Sequence, residues 1–227
     1  MKAISRLIFL LLATGFVRAD DAQTLAAVAK KLSAQTHLDR HFVQTKHLAI
    51  LKRPIRTEGT LLYRDTQGLC WATDTPVKSL LVLDGDSIRQ INAASSSTIS
   101  AAQQPALFGF TQLFFAALSG RIEPLRERFS IAVHGDENQW RLQLVPNDAM
   151  LKKFIVQMDL HGGAQLDRVS LRGIDSDITE IEFSEPRSTG NSASNSTGNS
   201  ASNGNGAGIG ASNSASAELE QRCFATP

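Results

Sequence analysis

From Leu25 the apolar positions fall at helical spacing, with Leu25, Val28, Ala29 and Leu32 on one face. Lys30 and Lys31 stand near the C-terminal end of that stretch, where cations suit the helix dipole. The period then changes to two. Phe42, Gln44, Lys46, Leu48 and Ile50 form one face, and after Pro54 the set Gly59, Leu61 and Tyr63 forms the next. Asp65-Thr66-Gln67-Gly68 reads as a hairpin connection, from which Leu69, Trp71 and Thr73 return. Leu80 to Leu83, Asp84-Gly85 and Ile88 to Ile91 make a second hairpin. Past Pro105 the alternation stops. Leu107, Phe108, Phe110, Leu113, Phe114, Phe115 and Leu118 cover nearly all faces of a helix that should end at Gly120. Strands resume at Phe129–His134, Trp140–Val145, Phe154–Leu160, Asp167–Arg172 and Ile178–Phe183, with turns at Gly135-Asp136-Glu137-Asn138 and Gly162-Gly163.

The pattern predicts a helix, about four strands, a very apolar helix and about five more strands. Short consecutive strands with tight turns make an antiparallel sheet in an α+β fold. A long antiparallel sheet curls, and the two helices must cover its apolar concave face.

The two ends of the chain fall outside this pattern. Lys2 and Arg6 precede an apolar run from Leu7 to Val17, followed by Arg18-Ala19. A basic start, a short apolar stretch and small residues at Val17-Arg18-Ala19 predict a secretory signal peptide over residues 1–19. The fold should then occupy 20–187 of an exported protein, which in a Gram-negative bacterium means the periplasm. Residues 188–217 hold no charge, and the octapeptide STGNSASN occurs at 188–195 and again at 196–203. Such a segment buries too little to offset its chain entropy, so a flexible linker is expected. Residues 218–227 make a short C-terminal segment that can dock on the domain, with a helical turn over Glu218–Phe224.

With 227 residues and 42% hydrophobic content, the chain can build one real core. A formal net charge of +1 offers no basic field for nucleic acid. No Gly-x-Ser-x-Gly, P-loop or Rossmann glycine pattern occurs, and Glu180 and Glu182 alternate along a strand as a solvated face, so no enzyme activity and no cofactor is expected. His37 and His41 would share a helix face, but nothing completes a tetrahedral set, and Asp84-Gly85-Asp86 lacks the spacing of a calcium loop, so no metal is expected.

The run Phe42-x-Gln44-x-Lys46, Glu58-Gly59-Thr60-Leu61, Gly68-Leu69-x-Trp71 and Pro76, followed by Leu118-Ser119-Gly120, Phe129 and Trp140-x-Leu142-x-Leu144-x-Pro146, resembles the periplasmic outer-membrane lipoprotein carriers of the LolA family. The resemblance implies an unclosed β-barrel of about nine to eleven strands with helices in its mouth. It also implies a non-enzymatic monomer that takes acylated cargo from an inner-membrane transporter to an outer-membrane acceptor. On that reading Leu61, Tyr63, Leu69, Trp71, Trp140 and Leu142 line an oily hollow, and Leu107, Phe110 and Phe114 belong to its lid. The plainer alternative is that these side chains are sealed core. The carriers latch the lid with an arginine just after the second strand. Here that register holds Asp65-Thr66, and the adjacent Arg64 should point to the opposite face, so the latch is absent or rebuilt. That departure leaves open a lipoprotein or another acylated lipid as cargo. A second function class is a lipid- or lipoprotein-sensing regulatory module that binds a protein partner. Cys70, between Leu69 and Trp71, should face away from the hollow; a bridge to Cys223 would pin the C-terminal segment to the convex wall, and the alternative is two free thiols.

Overall fold

The structure is a computed structural model that describes residues 19–84, 87–100, 102–103, 105–186 and 209–224. The expected signal peptide through residue 18, Gly85 of the expected Asp84-Gly85 turn and the expected linker from 188 to 208 lie outside the described residues. Helix α1 (Ala19–Ser33) leads into strands β1 (His37–His47), β2 (Ile55–Arg64), β3 (Gly68–Thr75), β4 (Ser79–Asp84), β5 (Ser87–Asn92) and β6 (Ser96–Ser100). Helices α2 (Pro105–Leu118) and α3 (Ile122–Arg128) follow. Then come β7 (Phe129–Gly135), β8 (Trp140–Pro146), β9 (Ile155–Gly162), β10 (Leu166–Gly173) and β11 (Ile178–Ser184), and helix α4 (Ile209–Phe224) ends the description.

All eleven strands form one antiparallel sheet in the order β6-β5-β4-β3-β2-β1-β11-β10-β9-β8-β7. Each half of the chain is a meander of hairpins, and the halves meet where β1 pairs with β11, Phe42 opposite Phe183. The edge strands β6 and β7 are not paired to each other, so the barrel is unclosed. The connection between those two edges runs through α2 and α3. It must cross the open side, which is why the most apolar helix in the chain covers the concave face.

Period-two patterning separates two cores. Leu38, Phe42, Leu61, Tyr63, Leu69, Leu142, Leu144 and Leu160 face inward with Leu25, Val28 and Leu32 of α1 and Leu113, Ala116 and Ala117 of α2. Leu62, Cys70, Ala72, Leu80 and Val82 point to the other face of β2–β4, where Cys223, Leu219 and Phe224 of α4 cover them. Gly120 (φ +66) ends α2 in the left-handed conformation, with the Arg121 N–H donating to Ala116 O at 2.9 Å in a Schellman closure. A side chain there would meet Ala29 O and Leu32 Cβ at 2.6 Å, so this glycine also lets α1 approach.

Several expectations need correction. His37 and His41 lie in β1, not on a helix, because the strand begins at His37. β1 ends at His47, so Leu48 and Ile50 fall in the following loop and not on its face. The serine-rich β6 and the short α3 carry too few periodic apolar positions to be seen in sequence. The terminal helix begins at Ile209, inside the segment read as linker, and not at Glu218. Its last turns are held on the sheet by Leu219, Cys223 and Phe224, a contact that local composition does not reveal.

Candidate binding hollow

The concave wall is built from cross-strand pairs. Tyr63 stands opposite Leu38 and Leu69, and Leu61 stands opposite Trp71, so these side chains share a face by register. Trp71 is the hub. Its ring lies 4.0 Å from that of Phe42 and 6.4 Å from that of Phe183, centroid to centroid. From above, α2 adds consecutive phenylalanines. Phe114 meets Trp71 edge to face at 5.9 Å, and Phe115 meets Tyr63 at 5.2 Å. Thus the hollow is filled by the protein's own aromatic side chains. Of the expected lining, Leu61, Tyr63, Leu69, Trp71, Phe114, Trp140 and Leu142 come together in this one core. Leu107 and Phe110 are on α2, but their side chains lie outside the described ones. Trp140 and Leu142 stand on β8, in the other half of the wall. The Trp140 indole N–H donates to Gly163 O at 2.9 Å, which fixes the ring at the β9–β10 turn.

A polar arrangement closes one end of the hollow. The Tyr63 hydroxyl donates to Asp65 Oδ1 at 2.9 Å. Burial pushes the Tyr63 phenol up to about 12, and the neighbouring Asp65 carboxylate adds to the effect, while Arg121 and Ser119 oppose it. Arg121, in the turn between α2 and α3, lies 4.7 Å over the Phe115 ring and donates from Nε to Ser119 Oγ at 3.0 Å. An arginine therefore stands over the lid after all. It comes from the helical connection and not from the sheet, so reading the β2–β3 turn could not find it.

Arg64 faces the convex side, as the one-residue shift requires. Its guanidinium bonds Asp39 Oδ1 at 2.6 Å and takes both carboxylate oxygens of Glu220 at 2.9 and 2.8 Å. These two acids raise the Arg64 pKa, and Arg64 in turn holds Glu220 below the usual carboxylate range. Cys70 and Cys223 form a disulfide with a Cα–Cα distance of 5.9 Å, and Arg89 Nη2 donates to Cys223 O at 2.7 Å. A covalent bond, a bidentate ion pair and an apolar patch thus hold α4 on the back of the wall.

Sequence reasoning also missed Arg40. It lies opposite Leu61 on the inner face of β1 and is nearly buried. Its guanidinium donates to Ser184 O, Phe183 O and Gln165 Oε1, and pairs with Asp167 at 3.4 Å. It ties the seam between the two half-sheets to the β9–β10 turn. The sequence signal was a charged residue flanked at two-residue spacing by Leu38 and Phe42. Among the described residues, no group of three or more His, Cys, Asp or Glu is placed to hold a metal ion. No helix of the described residues is long and apolar enough to cross a membrane.

Comparison with curated proteins gives no match. Among solved structures the chain is similar to a LolA superfamily protein from Nitrosomonas europaea, at 8% identity and TM-score 0.39, covering 73% of this chain and 92% of that one. It is also similar to LprF from Mycobacterium bovis (11% identity, TM-score 0.35, 71% and 90% covered). A third is the MucA/MucB complex of Pseudomonas aeruginosa (13%, 0.33, 74% and 56%). The profile of the family described as outer membrane lipoprotein carrier protein LolA-like matches residues 17–197, most of the sequence and every strand of the sheet, and the chain belongs to that family.

Proposed function

We propose that the protein is a non-enzymatic periplasmic carrier. It binds the acyl chains of a lipoprotein or another acylated lipid between the concave wall and α2, and moves them from the inner to the outer membrane. The observation that carries this reading is the pairing of an apolar, unclosed wall with a helix whose Phe114 and Phe115 occupy it through edge-on contacts to Trp71 and Tyr63. An acyl chain of about sixteen carbons costs on the order of 10 kcal/mol to hold in water. A carrier has to offset most of that and still let go. Exchanging helix–wall contacts for acyl–wall contacts does both, because only the difference between the two appears as affinity.

On this reading residues 1–19 are a signal peptide, 20–187 are the carrier domain, and Leu61, Tyr63, Leu69, Trp71, Trp140 and Leu142 line the site, with Leu107, Phe110 and Phe114 on the lid. An inner-membrane transporter donates the cargo and an outer-membrane acceptor takes it. Native mass spectrometry of the exported protein, followed by lipid extraction, tests the proposal. Acyl species should co-purify or exchange in at one-to-one stoichiometry. Their consistent absence, including after incubation with acylated lipid, would refute it.

A further inference from the structure

The described residues include ten exposed large apolar side chains, and all ten sit at one end of the sheet. The register defines that end: it is where His47, Ile55, Thr75, Ser79, Asn92, Pro146, Gly173 and Ile178 begin or end their strands. Ile50 and Leu51 lie in the β1–β2 loop, Met150 and Phe154 in the β8–β9 connection, and Ile174 in the β10–β11 turn. Ile50 is 90% exposed and Phe154 62%. The opposite end, with the β2–β3 turn and Arg121, has none among the described residues.

The β1–β2 loop and the β8–β9 connection are basic, whereas the β10–β11 turn carries Asp175 and Asp177 against Arg172. Residues 46–56 carry Lys46, Lys52, Arg53 and Arg56 and no acid. Taken with 74–78, 147–156 and 172–178, the rim holds eight basic residues against four acidic ones, in a chain whose formal net charge is only +1. One of those acids, Asp148, is already paired with Arg128 at 3.0 Å, and another, Asp177, accepts the Ala49 N–H.

We propose that this rim is a membrane-docking surface that binds the interface of an anionic bilayer. Isolated apolar side chains on separate loop tips, with Lys52-Arg53 directly behind Ile50-Leu51, suit a medium that is apolar at depth and anionic at its surface. Water gives such tips nothing in return for their exposure. A protein partner would ask for a continuous apolar patch with a polar rim, and here charge and apolar side chains alternate within each loop. Docking this end leaves the Arg121 end free. The inference is independent of what the hollow binds.

The test is vesicle co-flotation of the exported protein, freed of residues 1–19. The lipids are phosphatidylethanolamine with phosphatidylglycerol, against phosphatidylcholine alone. Binding should favour the anionic vesicles and fall as salt rises. Ile50→Ser with Leu51→Ser should weaken it at least tenfold. Lys52→Glu with Arg53→Glu should weaken it similarly and flatten its salt dependence. All four positions are in a loop, so far-UV circular dichroism should stay unchanged. Three results would each overturn the proposal. One is no binding to anionic vesicles. Another is full binding by both double variants. The third is a lipid-free dimer lost with Ile50→Ser and Leu51→Ser, which would assign the rim to a second copy.

Discussion

Replacing Phe114 by alanine separates a plug from an ordinary core residue. The ring is half-buried and meets Trp71 edge to face at 5.9 Å. Truncating a fully buried phenylalanine costs 3–5 kcal/mol, and an aromatic pair contributes about 1 kcal/mol beyond its area, so a half-buried ring should cost about 2 kcal/mol. Urea unfolding followed by tryptophan fluorescence should show that loss. If α2 competes with an acyl guest for the wall, the same substitution weakens the closed state that the guest must displace. A 2 kcal/mol shift toward the open state raises apparent affinity by at most about 30-fold. The guest also loses the ring as a neighbour, so about tenfold is the expected gain for a fluorescent long-chain acyl probe. Stability and affinity then move in opposite directions. Leu142→Ala is the contrast: it removes a fully buried wall side chain from β8, and should lower stability by about 2–4 kcal/mol without raising affinity. Equal or weaker probe binding by Phe114→Ala, alongside its lower stability, would refute the exchange of contacts.

Three further outcomes follow from particular contacts. Tyr63 is the only tyrosine, so phenolate absorbance reads it alone. It should titrate near 12 in the folded protein and near 10 when unfolded; because the unfolded chain loses the proton first, stability should hold below about pH 10 and decline from about 10 to 12, and a folded-state midpoint near 10 would contradict the buried Tyr63–Asp65 arrangement. Replacing Cys70 and Cys223 with alanine opens a link across 153 residues and should cost about 2–5 kcal/mol in urea unfolding; unchanged stability would mean that α4 contributes little to the fold. Gly59→Ala would place a Cβ 1.9 Å from Ala72 O, forcing β2 and β3 apart, and should cost about 2–3 kcal/mol, whereas wild-type stability would show that the pairing there is loose.

Much of the wall was legible because alternation is a local signal. Leu61 and Tyr63 facing in, Leu62 and Cys70 facing out, and Arg64 turned from the lid all follow from a period of two. The Phe-rich helix was legible because no solvent-exposed helix would be apolar on nearly every face. β6 was not, since Ser96–Ser100 acquires its strand character from pairing with β5 and not from its own residues. Arg121 as the cation over Phe115 was not legible either, because it reaches the hollow from a turn far along the chain from Asp65.

The sequence by itself determined the succession of helix, strands, apolar helix and strands, the two faces of most strands and the apolar character of the helix between the sheet's edges, since all of these rest on neighbours a few residues apart. The tertiary structure alone decided that β1 and β11 close the seam, that Phe114 and Phe115 land on Trp71 and Tyr63, that Cys70 finds Cys223, and that the exposed apolar residues gather at one end. Each of these depends on where residues far apart in the chain are brought by the curl of the sheet, and periodicity carries no information about that.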